Sequence, residues 1–339
     1  MKILYITTVG GTMNFFKTLI SVLIKEGNTV DIATNEASSK VPGCYREWGC
    51  KVYQISTSRS PFSFGNIIAI KQIRKIAKDY DIVHCHTPLA GMATRAACKK
   101  LRKKQGLKVI YTAHGFHFYK GAPKKNWLIY YPIEKKCSRW TDVLITINKE
   151  DYELAKKKMK AKQIVYVPGV GIDTAKFALA KVDKIKKRIE IGIPEDAQLL
   201  LSVGELNSNK NHQIVIKAIH KLSNSNIHYM IAGEGPEELE LTKLALELKV
   251  NLHLLGYRDD VLELYKTSNL YIHPSLREGL PVALMEALAS GVFCIGSNIR
   301  GVKDLLSEHC LFDPNDINSI CRLINTKEYS DNKCISSFY

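Results

Sequence analysis

The feature that most restricts how this chain can fold is a strict alternation of short apolar runs and helix-compatible stretches, which runs its course once and then starts again. The first series of β-rich runs is KILYIT, TVDIAT, KVYQI, DIVHCH, KVIYTAHG, DVLITIN and QIVYVPG. Between several of them lie longer segments such as NFFKTLISVLIKEG and AGMATRAACKKLRKKQG, the second stopping at Gly106, where a helix C-cap is expected. Continuous apolar strands separated by helices imply a parallel sheet covered on both faces. A polar, Lys-rich stretch then runs to about Arg188. A second series follows: LLLSVG, HYMIAGEG, VNLHLLG, LYIHPS and VFCIGS, with helices expected from about His212, Pro236, Asp260 and Pro281. The chain therefore reads as two α/β domains, 1–175 and 176–339, with the change-over in the region of 175–190. Domains of this kind bind ligands at the carboxyl ends of their strands, here across an expected cleft.

Composition narrows the class. The 339 residues are 45% hydrophobic and 24% charged, an ordinary balance for a folded domain pair. No apolar run reaches the roughly 18 residues that cross a bilayer. The opening MKILYITTVGG reads as a first buried strand rather than a signal peptide, because Gly10 and Gly11 interrupt it early. Nine cysteines, from Cys44 to Cys334, form no C-x-x-C pair and imply free thiols in a reducing cytosol. The net charge of +16 is unevenly spread. Residues 1–168 hold 30 Lys and Arg against 11 Asp and Glu, a net +19, while the remainder holds 19 against 22. So basic a first half will be drawn to anionic surfaces.

The segment LYIHPSLREGLPVALMEALASGVFCIG carries the most chemistry. A strand ends at His273-Pro274, a polar loop follows, Pro281 sits where a first-turn proline is favoured, and Gly291 marks the stop. From Leu280 to Ile295 the one charged residue is Glu286. An isolated glutamate is ordinarily a solvated surface residue, but this one has apolar neighbours on nearly every side and needs hydrogen-bond donors, which sugar or ribose hydroxyls supply. Free backbone N–H groups from Gly279 to Val282 suit a phosphate or a polar sugar.

These residues resemble glycosyltransferase family 4, the retaining group with the two-domain GT-B fold, whose mark is two glutamates separated by seven residues. Glu278 and Glu286 fit it, with Gly279, Leu280 and Pro281 after the first. The resemblance implies that Glu278 contacts hydroxyls of the donor sugar and that Glu286 holds the ribose. In LLLSVGELNSNKNH, Lys210 matches the family's phosphate-binding lysine, while Glu205 stands where many members carry an arginine. Gly10-Gly11 is not a dinucleotide fingerprint, and a Gly pair can be just a turn; the resemblance places it beside the donor. His114, in T-x-H-G context, is implied to face the reacting sugar, and Gly256, Tyr257 and Arg258 match the loop whose backbone meets the nucleobase. Arg300-Gly301 receives no role. His84 and His86 alternate on one strand face as a metal pair would, but local hydrogen bonding explains them equally. The family needs no metal, and no metal or other cofactor is expected.

The basic first half has two readings. KQIRKIAK, KKLRKK and KKKMKAK can form a solvated basic face. Alternatively FHFYKGAPKKNWLIYYPIEKK, which interleaves Phe116, Phe118, Tyr119, Trp127, Tyr130 and Tyr131 with lysines, suits a membrane interface. With the resemblance, the second implies a peripheral protein on the inner face of the cell membrane. Its partners would be a nucleotide sugar, expected to be UDP-linked, and a lipid-linked saccharide acceptor, in capsule or exopolysaccharide synthesis. A nucleic-acid binder would share the charge but lacks zinc-finger spacing and an RRM-type signature, so no nucleic-acid partner is expected. A nucleotide-sugar epimerase lacks the paired glutamates. A catalytically silent partner subunit stays open, because of Glu205 and because the resemblance implies a last helix where this sequence has the polar INTKEYSDNKCISSFY, as if the closing element were missing or the member shortened. Lys210→Ala and Glu286→Ala are each expected to abolish sugar transfer without unfolding the chain, as read by activity and circular dichroism; full activity in both would overturn the assignment.

Overall fold

The computed structural model describes residues 1–58, 60 and 63–325. The polar tail 326–339, with Cys334, lies outside the described residues. The chain divides into two compact units, Met1–Val170 and Gly171–Tyr339, against an expected junction at 175/176.

The first unit is a seven-stranded sheet built from β1 (Lys2–Val9), β2 (Thr29–Asn35), β3 (Val52–Gln54), β4 (Ile82–His86), β5 (Lys108–Ala113), β6 (Val143–Thr146) and β7 (Gln163–Tyr166), in the order β3-β2-β1-β4-β5-β6-β7. All neighbouring pairs are parallel. Seven of the eight residues of β1 are buried, because side chains leave a strand alternately to both faces and both faces are covered. Leu4 and Ile6 join a core with Val83 and Val109, whereas Ile3 and Tyr5 join a second one with Met13, Phe16 and Ile32. Gly106 ends the Pro88–Gln105 helix in the left-handed region (φ +73), as its position implied.

One buried charge fastens this unit. Arg95, on the Pro88–Gln105 helix, is wholly inaccessible, and its guanidinium bonds both oxygens of Glu134 at 2.8 and 2.9 Å. It also donates to the Gly91 carbonyl and lies 3.9 Å over the Tyr111 ring. The room for that ring is Gly91, where a Cβ would sit 2.6 Å from Tyr111. The pair links two helices across a strand.

The aromatic segment corrects an expectation. Phe116 and Phe118 are buried, and Trp127, Tyr130 and Tyr131 pack partly buried against the same core. Phe116 and Phe118 fill the interior instead of lining a membrane-facing surface, because Phe118 stacks on Phe116 and meets the partly buried Trp127 and Tyr131 edge-on. The exposed large apolar side chains of the helix Lys124–Ser138 are Leu128 and Ile129.

The second unit has six parallel strands, β8 (Gln198–Val203), β9 (Ile227–Ala232), β10 (Asn251–Leu254), β11 (Leu270–His273), β12 (Phe293–Ser297) and β13 (Leu311–Phe312), in the order β10-β9-β8-β11-β12-β13. The Lys-rich stretch before it holds two short helices, Thr174–Leu179 and Lys184–Glu190, which open on Asp173 and Asp183; each carboxylate accepts a backbone N–H three residues on. Lys187 is buried there and bonds Asp260, Glu190 and Glu263. Glu134→Leu, which strands the buried Arg95 charge, is expected to cost about 3–5 kcal/mol in urea unfolding, and adding Arg95→Met is expected to restore most of it. Equal losses in the single and double variants would show that the pair itself, not the stranded charge, sets the stability.

Candidate functional site

The second unit concentrates its polar chemistry where β8, β9 and β11 end. Gly233 (φ +156) lies so close to the Gly204 carbonyl that a Cβ would sit 1.9 Å from its oxygen, and its N–H donates to the Gly256 carbonyl at 2.8 Å. Gly204 in turn faces Lys210, whose Cε would lie 3.1 Å from an added Cβ. The lysine's own loop is pinned. Its N–H donates to Asn207, and Asn211 takes a left-handed φ of 56° while its amide donates to the carbonyls of Pro274 and Pro314. Leu276 N–H donates to the Asn209 carbonyl at 2.8 Å, joining this loop to the one after β11.

The two loops deliver opposite charges to one point. Lys210 Nζ lies 2.7 Å from Glu278 Oε1, and His273 Nε2 lies 3.2 Å from the same oxygen. Burial opposes ionisation of Glu278, but the His273 hydrogen bond and the Lys210 ammonium overcome it and hold the carboxyl well below its usual range. Burial pushes His273 down, with Glu278 offsetting only part of it, which favours the neutral ring.

The segment after Glu278 turns into the helix Val282–Ala289, which no side chain caps. Pro281 is its extended N-cap (φ −78, ψ 116), one residue ahead of the expected first-turn position. Leu280 and Pro281 are buried. Gly279 is held by Arg300-Gly301, which the sequence reading passed over: Arg300 Nε donates to the Glu278 carbonyl at 3.1 Å, and a Cβ on Gly301 (φ +80) would sit 2.2 Å from the Gly279 oxygen. No local signal in SNIRG reveals that contact. Glu286 is half-buried. Burial raises its pKa, partly offset by Tyr265, whose hydroxyl donates to Oε2 at 3.2 Å.

At the loop after β10, Gly256 takes φ +64, and Tyr257 is 80% exposed with its N–H on Glu234. The Arg258 guanidinium pairs with Asp260 and Glu190, beside buried Lys187. That network anchors the loop and leaves the Tyr257 ring exposed.

In the first unit, Gly10 and Gly11 begin a 3-10 turn, Gly10–Phe16. Their lack of side chains answers to packing, since added Cβ atoms would meet Ser39 O and Ser39 Oγ at 2.4 Å. His114, just past β5, bonds His86 through its Nε2 at 3.1 Å from His86 Nδ1, and burial brings its pKa down to about 4. His86 is 1% exposed, and its Nε2 has no partner among the described residues. A buried unpaired N–H is costlier than a bare lone pair. The proton of His86 therefore belongs on Nδ1, donating to His114, which leaves His114 with its own proton on Nδ1. His84 bonds Thr112 at 2.8 Å. Among the described residues no group of three or more His, Cys, Asp or Glu is arranged to hold a metal ion.

The strand ends β1 and β4 also frame a cavity of about 280 Å³, lined by Thr8, Thr12, Thr87, Pro88, His117 and Tyr130 among others. Thr87 bounds it in the left-handed region (φ 65), a conformation β-branched residues avoid. Its hydroxyl is bonded to Thr8 at 2.6 Å.

Known proteins resemble the chain across both units. Residues 9–176 match the family described as Glycosyltransferase Family 4, and residues 183–334 match Glycosyl transferases group 1. EpsD of Bacillus subtilis (strain 168), a glycosyltransferase by name, is 38% identical over 264 residues, 76% of this chain and 69% of EpsD. The UDP-Gal:alpha-D-GlcNAc-diphosphoundecaprenol alpha-1,3-galactosyltransferase of Escherichia coli is 32% identical over 268 residues, 75% of this chain and 67% of that enzyme. The crystal structure of Anabaena HepE in complex with UDP superposes with a TM-score of 0.78 at 17% identity, covering 96% of this chain and 89% of HepE. That likeness is one of fold, the GT-B fold.

Gly301→Ala is expected to be more damaging than Gly291→Ala. Both residues have positive φ, but a Cβ at 301 strikes the Gly279 carbonyl while one at 291 meets nothing within 4 Å. Strain alone should cost about 1 kcal/mol at 291, and the added backbone clash should bring 301 to about 2–4 kcal/mol in urea unfolding. Equal losses would remove Gly301 from its proposed clamp.

Proposed function

The chain belongs to glycosyltransferase family 4, and from that premise we propose that it moves a hexosyl or N-acetylhexosaminyl group, with retention of configuration, from a UDP-sugar to a lipid-linked saccharide in surface polysaccharide synthesis. The observation that carries this reading is the 2.7 Å meeting of Lys210 and Glu278 at an uncapped helix start. A cation and helix N–H groups for a diphosphate stand there beside a carboxylate for sugar hydroxyls. The names of the Escherichia coli relative and of the HepE complex support a UDP-linked donor, and the former supports a diphosphate-lipid acceptor.

In this reading the second domain, 176–339, takes the nucleotide sugar and the first, 1–175, takes the acceptor. Lys210 and the N–H groups at Val282 to Leu284 receive the leaving diphosphate. Glu278 and Gly279 hold the donor sugar, Glu286 the ribose, and the backbone at Gly256, Tyr257 and Arg258 the base. Leu280 and Pro281 shape the loop. The acceptor oxygen bonds to the anomeric carbon on the face the diphosphate leaves, the bond from that carbon to the phosphate oxygen breaks, and the acceptor proton passes to the leaving phosphate. Charge stabilisation at Lys210, with no metal invoked, is the main catalytic contribution.

Peripheral attachment to an anionic inner leaflet belongs to the same proposal. Among the described residues no helix is long and apolar enough to cross a membrane. Phe64, Ile67 and Ile68 are exposed at the start of the Gly65–Ile76 helix, as Leu128 and Ile129 are on Lys124–Ser138. The first helix also carries Lys71, Arg74 and Lys75, and the second Lys124, Lys125, Lys135 and Lys136, the pairing of apolar and basic residues that interfacial helices use.

The test is acceptor-dependent UDP release from a panel of UDP-sugars, with lipid-linked acceptors presented in anionic vesicles and the product's anomeric configuration read by NMR. At least one donor is expected to give release and a retained configuration, with Lys210→Ala lower by about 100-fold or more. No release with any donor would favour a catalytically silent partner subunit, and an inverted product would refute the displacement described.

A further inference from the structure

We infer that His273, steadied by Tyr271, is a positioning residue that orients the Glu278 carboxylate for the donor sugar. The inference rests on the donor-site reading above and adds to it two residues of β11. Residues 271 and 273 alternate by two along the strand and so share a face. The Tyr271 hydroxyl lies 3.1 Å from His273 Nδ1, and His273 Nε2 lies 3.2 Å from Glu278 Oε1. Burial keeps the Tyr271 hydroxyl protonated. It is therefore the donor, Nδ1 accepts, and the imidazole proton sits on Nε2 pointing at the carboxylate. Ser275 Oγ lies 3.3 Å from the same nitrogen.

Lys210 cannot do this work by itself. An ammonium on a flexible stem is a point charge that neutralises a carboxylate from many directions, whereas an imidazole N–H set in a buried strand fixes one direction. Both donors converge on Oε1, and Oε2 takes part in neither bond. The histidine thus sets the carboxylate plane, so that Oε2 is the oxygen available to sugar hydroxyls.

A histidine that merely filled the strand end would need no such chain. Here the chain continues inward: the Tyr271 ring packs edge-on against Tyr265 at 5.5 Å, and Tyr265 donates to Glu286. The two glutamates of the motif are thereby connected through buried tyrosines. The charged and titratable groups around the relay are Lys210, Glu278, Glu286, His212, Tyr229, Tyr265 and Cys294, with Arg300 on the Glu278 carbonyl. Of these, Lys210 and His273 bond the Glu278 carboxylate.

The experiment compares the wild-type chain with His273→Leu, His273→Gln and Tyr271→Phe, following donor kinetics. His273→Leu removes the donor, and kcat is expected to fall about 10- to 100-fold with a smaller change in KM, as for a misplaced contact group. Glutamine presents an N–H near the position of Nε2 and is expected to recover most of that loss, while Tyr271→Phe keeps the ring and should show a partial fall. In parallel, ¹⁵N NMR of the full wild-type chain reads the His273 tautomer without any substrate, and a proton on Nε2 is expected. A proton on Nδ1, or a His273→Leu variant with unchanged kcat, would overturn the inference. So would equal losses in the leucine and glutamine variants that follow a fall in Tm, since those belong to packing. A wild-type chain that releases no UDP from any donor would count against the proposed function, while the tautomer would still decide the relay.

Discussion

In each unit every sheet pairing is parallel, so every strand is left through its carboxyl end and the loops that follow gather at one edge. The chemistry of the chain depends on that constraint. Lys210 follows β8, Gly233 follows β9, Gly256 follows β10 and Glu278 follows β11, four segments far apart in sequence that the topology collects. In both units the order of strands reverses beside the first strand, between β1 and β4 and between β8 and β11. Crossovers leave in opposite directions at these places and open a crevice. The strained Thr87 stands at one, and the Lys210–Glu278 contact stands at the other.

The molecule treats its buried charges in two ways. Arg95 with Glu134, and Lys187 with its three carboxylates, are closed sets whose hydrogen bonds are satisfied within the fold. They tie helices together and leave nothing over. Glu278 and Glu286 are different. Glu278 is ionised by two donors that share one oxygen, and Glu286 has a single tyrosine hydroxyl and a raised pKa. Carboxylates under-supplied with donors at the edge of an α/β sheet are what a polyhydroxylated ligand can complete. The same contrast separates Arg258, spent on Asp260 and Glu190, from Lys210.

Much of the site was legible because its residues carry local signals. Glu286 stood out as the one charge in a long apolar stretch, and Pro281 and Gly291 bracketed its helix; the loop before it follows from Pro274 and Gly279. Other parts had no local signal. Gly301 is needed because Gly279 approaches it, and Gly10 because the loop at Ser39 does, contacts made across tens of residues. The aromatic segment misled for a related reason. Rings interleaved with lysines look the same whether the rings face a core or an interface, and only the packing of Phe116 and Phe118 against the first core decides it. The capping aspartates Asp173 and Asp183 were a legible signal of two helices, hidden by the Lys-rich composition around them.

What the sequence determined by itself was the class of fold and the family. Hydrophobic periodicity is a property of neighbours along the chain, and so are helix stops and the spacing of Glu278 and Glu286. What only the tertiary structure decided was how those residues are placed: that Lys210 meets Glu278, that Arg300-Gly301 clamps the backbone at Glu278 and Gly279, that His273 and Tyr271 stand behind the carboxylate, and that His86 sets the proton of His114. Each of these is a contact between segments brought together by strand order. Hydrogen-bond direction and burial, which govern protonation and orientation, exist only once that order is in place.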